Sequence, residues 1–170
     1  LVGSEMCIRD SSLAFQQFEE VLSEVTIQEI SKDDSAVKQL LESSVANKHN
    51  LDTISSPFKM EWCAESDWEP DDPSEVSSGS CIIVPFVKDI SSGTLIRSIG
   101  YAEAEAAISE YNFSNDGTFT LTTNYEQSIA EEKIWFVSEN VRCRSSVLRT
   151  SAGSGVLQTS FASEVRRINA

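Results

Sequence analysis

Arg142 and Arg144 stand two residues apart, with Ser146 two further on, in a run that alternates like a β-strand. Side chains two apart on a strand share a face, so these three point one way. Val141, Cys143, Ser145 and Val147 point the other way. The run before it carries Glu132, Ile134 and Phe136 on one face, and the run after it carries Gln158, Ser160, Ala162, Glu164 and Arg166. A guanidinium is a planar fork of donors that matches a carboxylate with two parallel hydrogen bonds. The residue types fit a polar constellation for an anionic, hydrogen-bonding ligand. They fit equally well a solvated outer face laced by cross-strand ion pairs.

Composition narrows the choice of partner. A chain of 170 residues is long enough for one domain with a sizeable core or a closed barrel. Its formal net charge of −14 argues against nucleic acid, which selects a basic surface. No apolar run approaches the roughly 20 residues that span a bilayer, so no membrane insertion is expected. Neither a metal-binding cluster nor a P-loop nor a dinucleotide fingerprint is present, and no metal is expected. A catalytic triad would have to rest on His49, the only histidine. That residue lies in a polar run, where an exposed and inert histidine is the simpler reading.

The first ten residues, Leu1 to Asp10, read like a translated sequencing-library adapter and are set apart as a non-native segment. The alternative is a genuine N-terminus. On the adapter reading the natural start is missing, and residues 11–170 form a single domain with 12 basic and 25 acidic residues. Three cysteines remain there: Cys63, Cys81 and Cys143. Their odd count and lack of Cys-x-x-Cys spacing fit small, reduced, partly buried side chains.

The elements that must position the charged residues are mostly strands. Ser12 to Phe18 and Val21 to Ile30 read as extended runs. Ser31 to Asp34 supplies N-cap chemistry for a short amphipathic helix through Val37, Leu40, Leu41 and Val45. Phe58 to Glu65 alternates, and an acidic, proline-bearing loop runs from Glu69 to Ser80. Cys81 to Lys88 is apolar, with Pro85 marking an edge or bulge. Thr94 to Glu103, Ala106 to Phe113 and Thr118 to Glu126 follow, with a glycine-dependent hairpin turn at Asn115-Asp116-Gly117. This predicts an all-β fold with one short helix: an antiparallel up-and-down barrel of about ten strands, lipocalin-like or fatty-acid-binding-protein-like. A sandwich is the competing fold. Polar groups on both faces of several strands favour a barrel that holds a ligand.

A collinear series of strings carries a resemblance. It runs through Met60-Glu61-Trp62, Gly100-Tyr101-Ala102-Glu103, Asp116-Gly117-Thr118-Phe119-Thr120-Leu121 and Tyr125-Glu126. It continues with Glu131-Glu132-Lys133-Ile134-Trp135-Phe136, Asn140-Val141-Arg142-Cys143-Arg144-Ser145-Ser146 and Phe161-Ala162-Ser163-Glu164-Val165-Arg166. From Ser11 to Ile168 the chain resembles the S-type phycobiliprotein lyases, the CpcS/CpeS family. The resemblance implies a lipocalin-like barrel that binds a phycobilin, phycoerythrobilin or phycocyanobilin. It also implies covalent thioether attachment to a cysteine of a phycobiliprotein subunit, with the β subunit expected. The family's N-terminal helix and the start of its first strand are absent, and the Glu69 to Ser80 loop departs from the family pattern.

Pocket residues carried over by the resemblance are Met60, Trp62, Trp68, Glu132, Arg142, Arg144, Ser146 and Glu164. Arg142 and Arg144 would pair the bilin propionates, and Ser146 would bond a carbonyl or propionate. Glu132 and Glu164, the expected catalytic pair, would accept pyrrole N–H bonds and favour the protonated, more electrophilic pigment. Met60, Trp62 and Trp68 would offer apolar surface to the rings, although Met60 and Trp62 also fit ordinary core. Trp135 lies on the opposite face and reads as packing. Two other functions compete: a lipocalin-like carrier of a bilin or other hydrophobic ligand without transfer, and a protein-docking module with an acidic surface and a filled barrel. The expected location is an algal plastid (stroma or thylakoid lumen side) or the cyanobacterial cytoplasm, and a homodimer is compatible with the reading.

Overall fold

Alternation at period two dictates strands, and short polar connections dictate antiparallel neighbours. The computed structural model describes the main chain of residues 2–12, 17–42, 50–65, 78–99, 106–153 and 155–167. It describes side chains at residues 23–42, 50–63, 78–99, 106–153 and 155–167. The strands are β1 (Val2–Ser12), β2 (Gln17–Glu29), β3 (Phe58–Glu65), β4 (Ser78–Val87) and β5 (Ser92–Arg97). They continue as β6 (Ala107–Phe113), β7 (Phe119–Asn124), β8 (Ser128–Ser138), β9 (Val141–Thr150) and β10 (Val156–Arg167). Each pairs with the next, and β1 also pairs with β10, so the sheet closes into a barrel. The competing sandwich is not what forms.

Val2 to Asp10, within the segment set apart in the sequence, supply most of β1. Its pairing with β2 and β10 is made by main-chain groups, which any residue but proline can supply. Of the extended run expected from Ser12 to Phe18, Ser12 ends β1 and Gln17 and Phe18 begin β2, and residues 13–16 lie outside the described residues.

The period changes at α1 (Ser35–Glu42), and a short 3-10 turn follows at Leu51–Thr53. Asp34 caps α1, its Oδ1 accepting from the Ala36 N–H at 2.8 Å. Val37 and Leu40 bury against Ile54, Val84, Phe86 and Ile96. Val84 and Phe86 lie on alternate positions of β4 and Ile96 on β5, so the helix covers part of the outer wall. Ile83, Leu95 and Arg97, one position out of phase, face inward. Pro85 lies where β4 runs past the last β3 pair, Phe58 with Ile83, so its missing N–H costs no ladder bond there. At the β6–β7 hairpin Gly117 takes φ of 82°, and Asp116 Oδ1 accepts from the Thr118 N–H at 2.9 Å.

Candidate functional site

The interior has two chemically distinct walls. On one, Cys81, Ile83, Leu95, Tyr111 and Leu121 are buried together, with Phe58, Met60, Trp62 and Phe119 packed against them. Trp62 also meets a second small cluster formed by Val25 and Ala162. Its ring lies flat on the main chain of β4: a Cβ at Gly79 would stand 2.4 Å from Trp62 Cζ2. Tyr111 lies likewise across Gly93, and its ring packs at 5.6 Å from that of Phe119. Burial, more than the nearby Asp89 charge, pushes the Tyr111 phenol above its ordinary pKa.

The other wall, β8 to β10, is polar and built from small side chains between charged ones. Registry sets Glu132 opposite Ser146, Ser146 opposite Ser160, Arg144 opposite Ala162 and Arg142 opposite Glu164. All share the inward face. Glu132 and Glu164 are 2% and 4% exposed, and Ser146 and Ala162 are buried too. Of the two readings open in the sequence, the solvated outer face is excluded. The ion pairs are real, but they are interior.

The geometry of those pairs decides what the wall can do. Arg142 donates from Nε to Glu164 Oε2 at 2.7 Å, and its Nη2 meets the same oxygen at 2.5 Å. Both contacts fall on one oxygen, so Glu164 Oε1 receives no hydrogen bond among the described residues. Glu132 Oε2 accepts from Arg97 Nη1 at 3.4 Å. Its Oε1 lies 3.8 Å from Arg144 Nη1, an ion pair beyond hydrogen-bond reach. Each buried carboxylate is therefore hydrogen-bonded at one oxygen, and among the described residues no hydrogen bond reaches the other. On the inward face, three guanidiniums meet two carboxylates among the described residues, an excess of positive charge inside a strongly acidic chain.

The structure brings together seven of the eight residues carried over from the sequence: Met60 and Trp62 on the apolar wall, and Glu132, Arg142, Arg144, Ser146 and Glu164 on the polar one. Trp68, the Glu69 to Ser77 part of the acidic loop, the Gly100 to Glu103 string and His49 lie outside the described residues. Trp135 is on the outer face, its ring 6.2 Å from that of Phe161, in line with a packing role. Cys143 shares that outer face, opposite the arginines; Cys63 is exposed and Cys81 buried, all three as free thiols.

Sequence reading missed Arg97. It is 7% exposed and donates from Nη2 to Ser109 Oγ at 3.3 Å and to Thr123 Oγ1 at 3.0 Å, in addition to Glu132. Its signal was an arginine in phase with apolar Leu95. The two hydroxyl residues that make room for it lie on later strands, and only the register shows that they are its neighbours.

A family model described as CpeS-like protein matches residues 6–167. The chromophore lyase CpcS/CpeS 3 of Trichodesmium erythraeum is 47% identical over 157 residues, covering 91% of this chain and 87% of the relative. The phycocyanobilin lyase subunit CpcS of Picosynechococcus sp. is 26% identical over 156 residues, covering 91% and 75%. Among solved structures, the S-type phycobiliprotein lyase CPES from Guillardia theta superposes with a TM-score of 0.79 at 31% identity, covering 99% of this chain and 88% of that one.

Proposed function

The chain belongs to the CpeS-like family, and from that premise we propose that it is a lyase that holds a phycobilin inside its barrel and promotes thioether attachment of that pigment to a cysteine of a phycobiliprotein subunit. The observation that carries this reading is the pair of buried carboxylates, each hydrogen-bonded by arginine at one oxygen and, among the described residues, by no donor at the other. An open-chain tetrapyrrole offers what such an interior can bind: propionates for guanidiniums, pyrrole N–H groups for carboxylates, and flat rings for the Met60–Trp62 wall.

Arg142 and Arg144 take the propionates. Glu132 Oε1 and Glu164 Oε1 accept the pyrrole N–H bonds and favour the protonated pigment, whose ethylidene carbon is the more electrophilic. Ser146, between them on the same wall, bonds a carbonyl or propionate. The nucleophile is the thiolate of the acceptor subunit. Its sulfur adds to the ethylidene carbon, the tetrapyrrole takes up one proton, and nothing leaves. Attachment of this kind needs orientation above all: one extended conformer held, wrong sites masked and one ring presented.

The bilin is phycoerythrobilin or phycocyanobilin, the acceptor the β subunit, and the location an algal plastid or the cyanobacterial cytoplasm, where pigment-bearing phycobiliproteins occur. Co-expression with bilin-synthesis enzymes and a β subunit tests this directly. Covalent colour on the subunit after denaturing electrophoresis is the expected result. Pigment that stays with the barrel and never reaches the subunit would instead identify a carrier without transfer.

A further inference from the structure

We propose that Arg97 is a positioning residue that acts on the bilin only through Glu132, as its permanent counter-ion, while Arg144 is the exchangeable one. The inference rests on the bilin reading of the interior and adds a division of labour among its arginines.

Arg97 leaves β5 and crosses the inner faces of β6 and β7 to reach β8. The crossing is possible because Ser109 and Thr123, both essentially fully buried, carry short side chains there. Their hydroxyls are 2.6 Å apart, and both accept from Arg97 Nη2. Nη1 is left to donate to Glu132 Oε2 at 3.4 Å. A charge buried so deeply persists only with its partners in place, so this guanidinium cannot swing toward a ligand without stranding both itself and Glu132.

Arg144 stands differently toward Glu132. It approaches the other carboxylate oxygen at 3.8 Å, outside hydrogen-bond range, and is the more exposed of the two side chains. Turning it toward an anionic group of a ligand takes no hydrogen bond from Glu132. Glu132 then keeps its charge partner and its aim, with Oε1 directed at whatever donor arrives. Without Arg97 the same exchange would leave a buried carboxylate with no cation beside it.

A double-mutant cycle on the full chain tests this, with free phycoerythrobilin as the probe. Dissociation constants and visible band shape would be read for the wild type, Arg97→Met, Glu132→Gln and the double variant. The expected result is about tenfold weaker binding and a less sharpened band for each single variant, the scale of one charged hydrogen bond. The double variant should lie within about twofold of Glu132→Gln alone. Arg97→Lys should recover part of the affinity, because it restores a cation near Oε2.

Equal losses from Arg97→Met in both backgrounds, or no loss in either, would overturn the inference. Should Arg97→Met fail to fold, Thr123→Val removes one anchor of the same guanidinium and enters the cycle in its place. A loss of about two- to threefold that disappears in the Glu132→Gln background supports the role. A loss that persists there refutes it. A wild-type chain that leaves the pigment spectrum unchanged would overturn the bilin reading itself, an outcome distinct from additivity in a chain that binds.

Discussion

Arginine does two jobs inside this barrel, and the difference lies in what each guanidinium touches. Arg142 grips Glu164 across the β9–β10 ladder with two nitrogens on one oxygen. Removing one member of such a pair strands the other, so Arg142→Ala is expected to cost about 2–3 kcal/mol. That figure is discounted because the Arg142 side chain keeps 29% of its exposure. Arg142→Ala combined with Glu164→Ala should recover part of the loss, since neither charge is then left buried alone. Lys88→Ala, at an exposed position, should stay within about 0.5 kcal/mol of the parent. Urea denaturation of the four proteins reads all three expectations. A double variant no more stable than Arg142→Ala would show that the pair is not the source of the cost.

The strands were the most legible part of the chain, because their period of two is local. Phe58–Glu65 forms as expected, and the β6 and β7 runs differ from expectation by one or two residues at their ends. The hairpin at Asn115-Asp116-Gly117 was equally visible, since its backbone needs a glycine. The shared face of Arg142, Arg144 and Ser146 was legible for the same reason. Whether that face was inside was not, because alternation alone has no inside. Arg97 stayed hidden because its neighbours Ser109, Thr123 and Glu132 come from three other strands. β1 stayed hidden because its residues read as a non-native segment, whereas strand pairing is made by the main chain.

Two expectations belong to the turns and ladders. A Cβ at Gly93 would stand 2.1 Å from the Phe86 carbonyl oxygen and 2.5 Å from the Tyr111 hydroxyl. Backbone cannot yield as a side-chain tip can, so Gly93→Ala should destabilise by about 2 kcal/mol or more, seen as a lower melting temperature. An unchanged melting temperature would contradict the close approach. In the β4–β5 turn, Asp89 accepts from the Ser92 and Ser91 hydroxyls and the Ser91 N–H, which holds its pKa at about 2 against 3.8. A depressed carboxyl pKa stabilises the fold above the unfolded value. The turn's contribution is therefore complete above about pH 4 and is lost as pH falls through about 2. NMR titration of the Asp89 carboxyl should find its midpoint there; a midpoint near 3.8 would show that the turn is open.

Taken whole, the molecule is an acidic shell around an interior that is apolar on one wall and positively weighted on the other. Closure of ten strands removes the sheet edges and makes both walls face one another, which no single strand of this sequence encodes. An interior packed only for stability would not retain five charged side chains, each costly to desolvate. Their retention makes sense if a ligand meets them. Titrating the purified chain with phycoerythrobilin while recording visible absorption tests this most directly. The expected result is a red-shifted, sharpened band that saturates with protein, and binding weakened about tenfold by Arg142→Ala or by Arg144→Ala. A free-pigment spectrum at every protein concentration, or variants that bind as tightly as the parent, would contradict it.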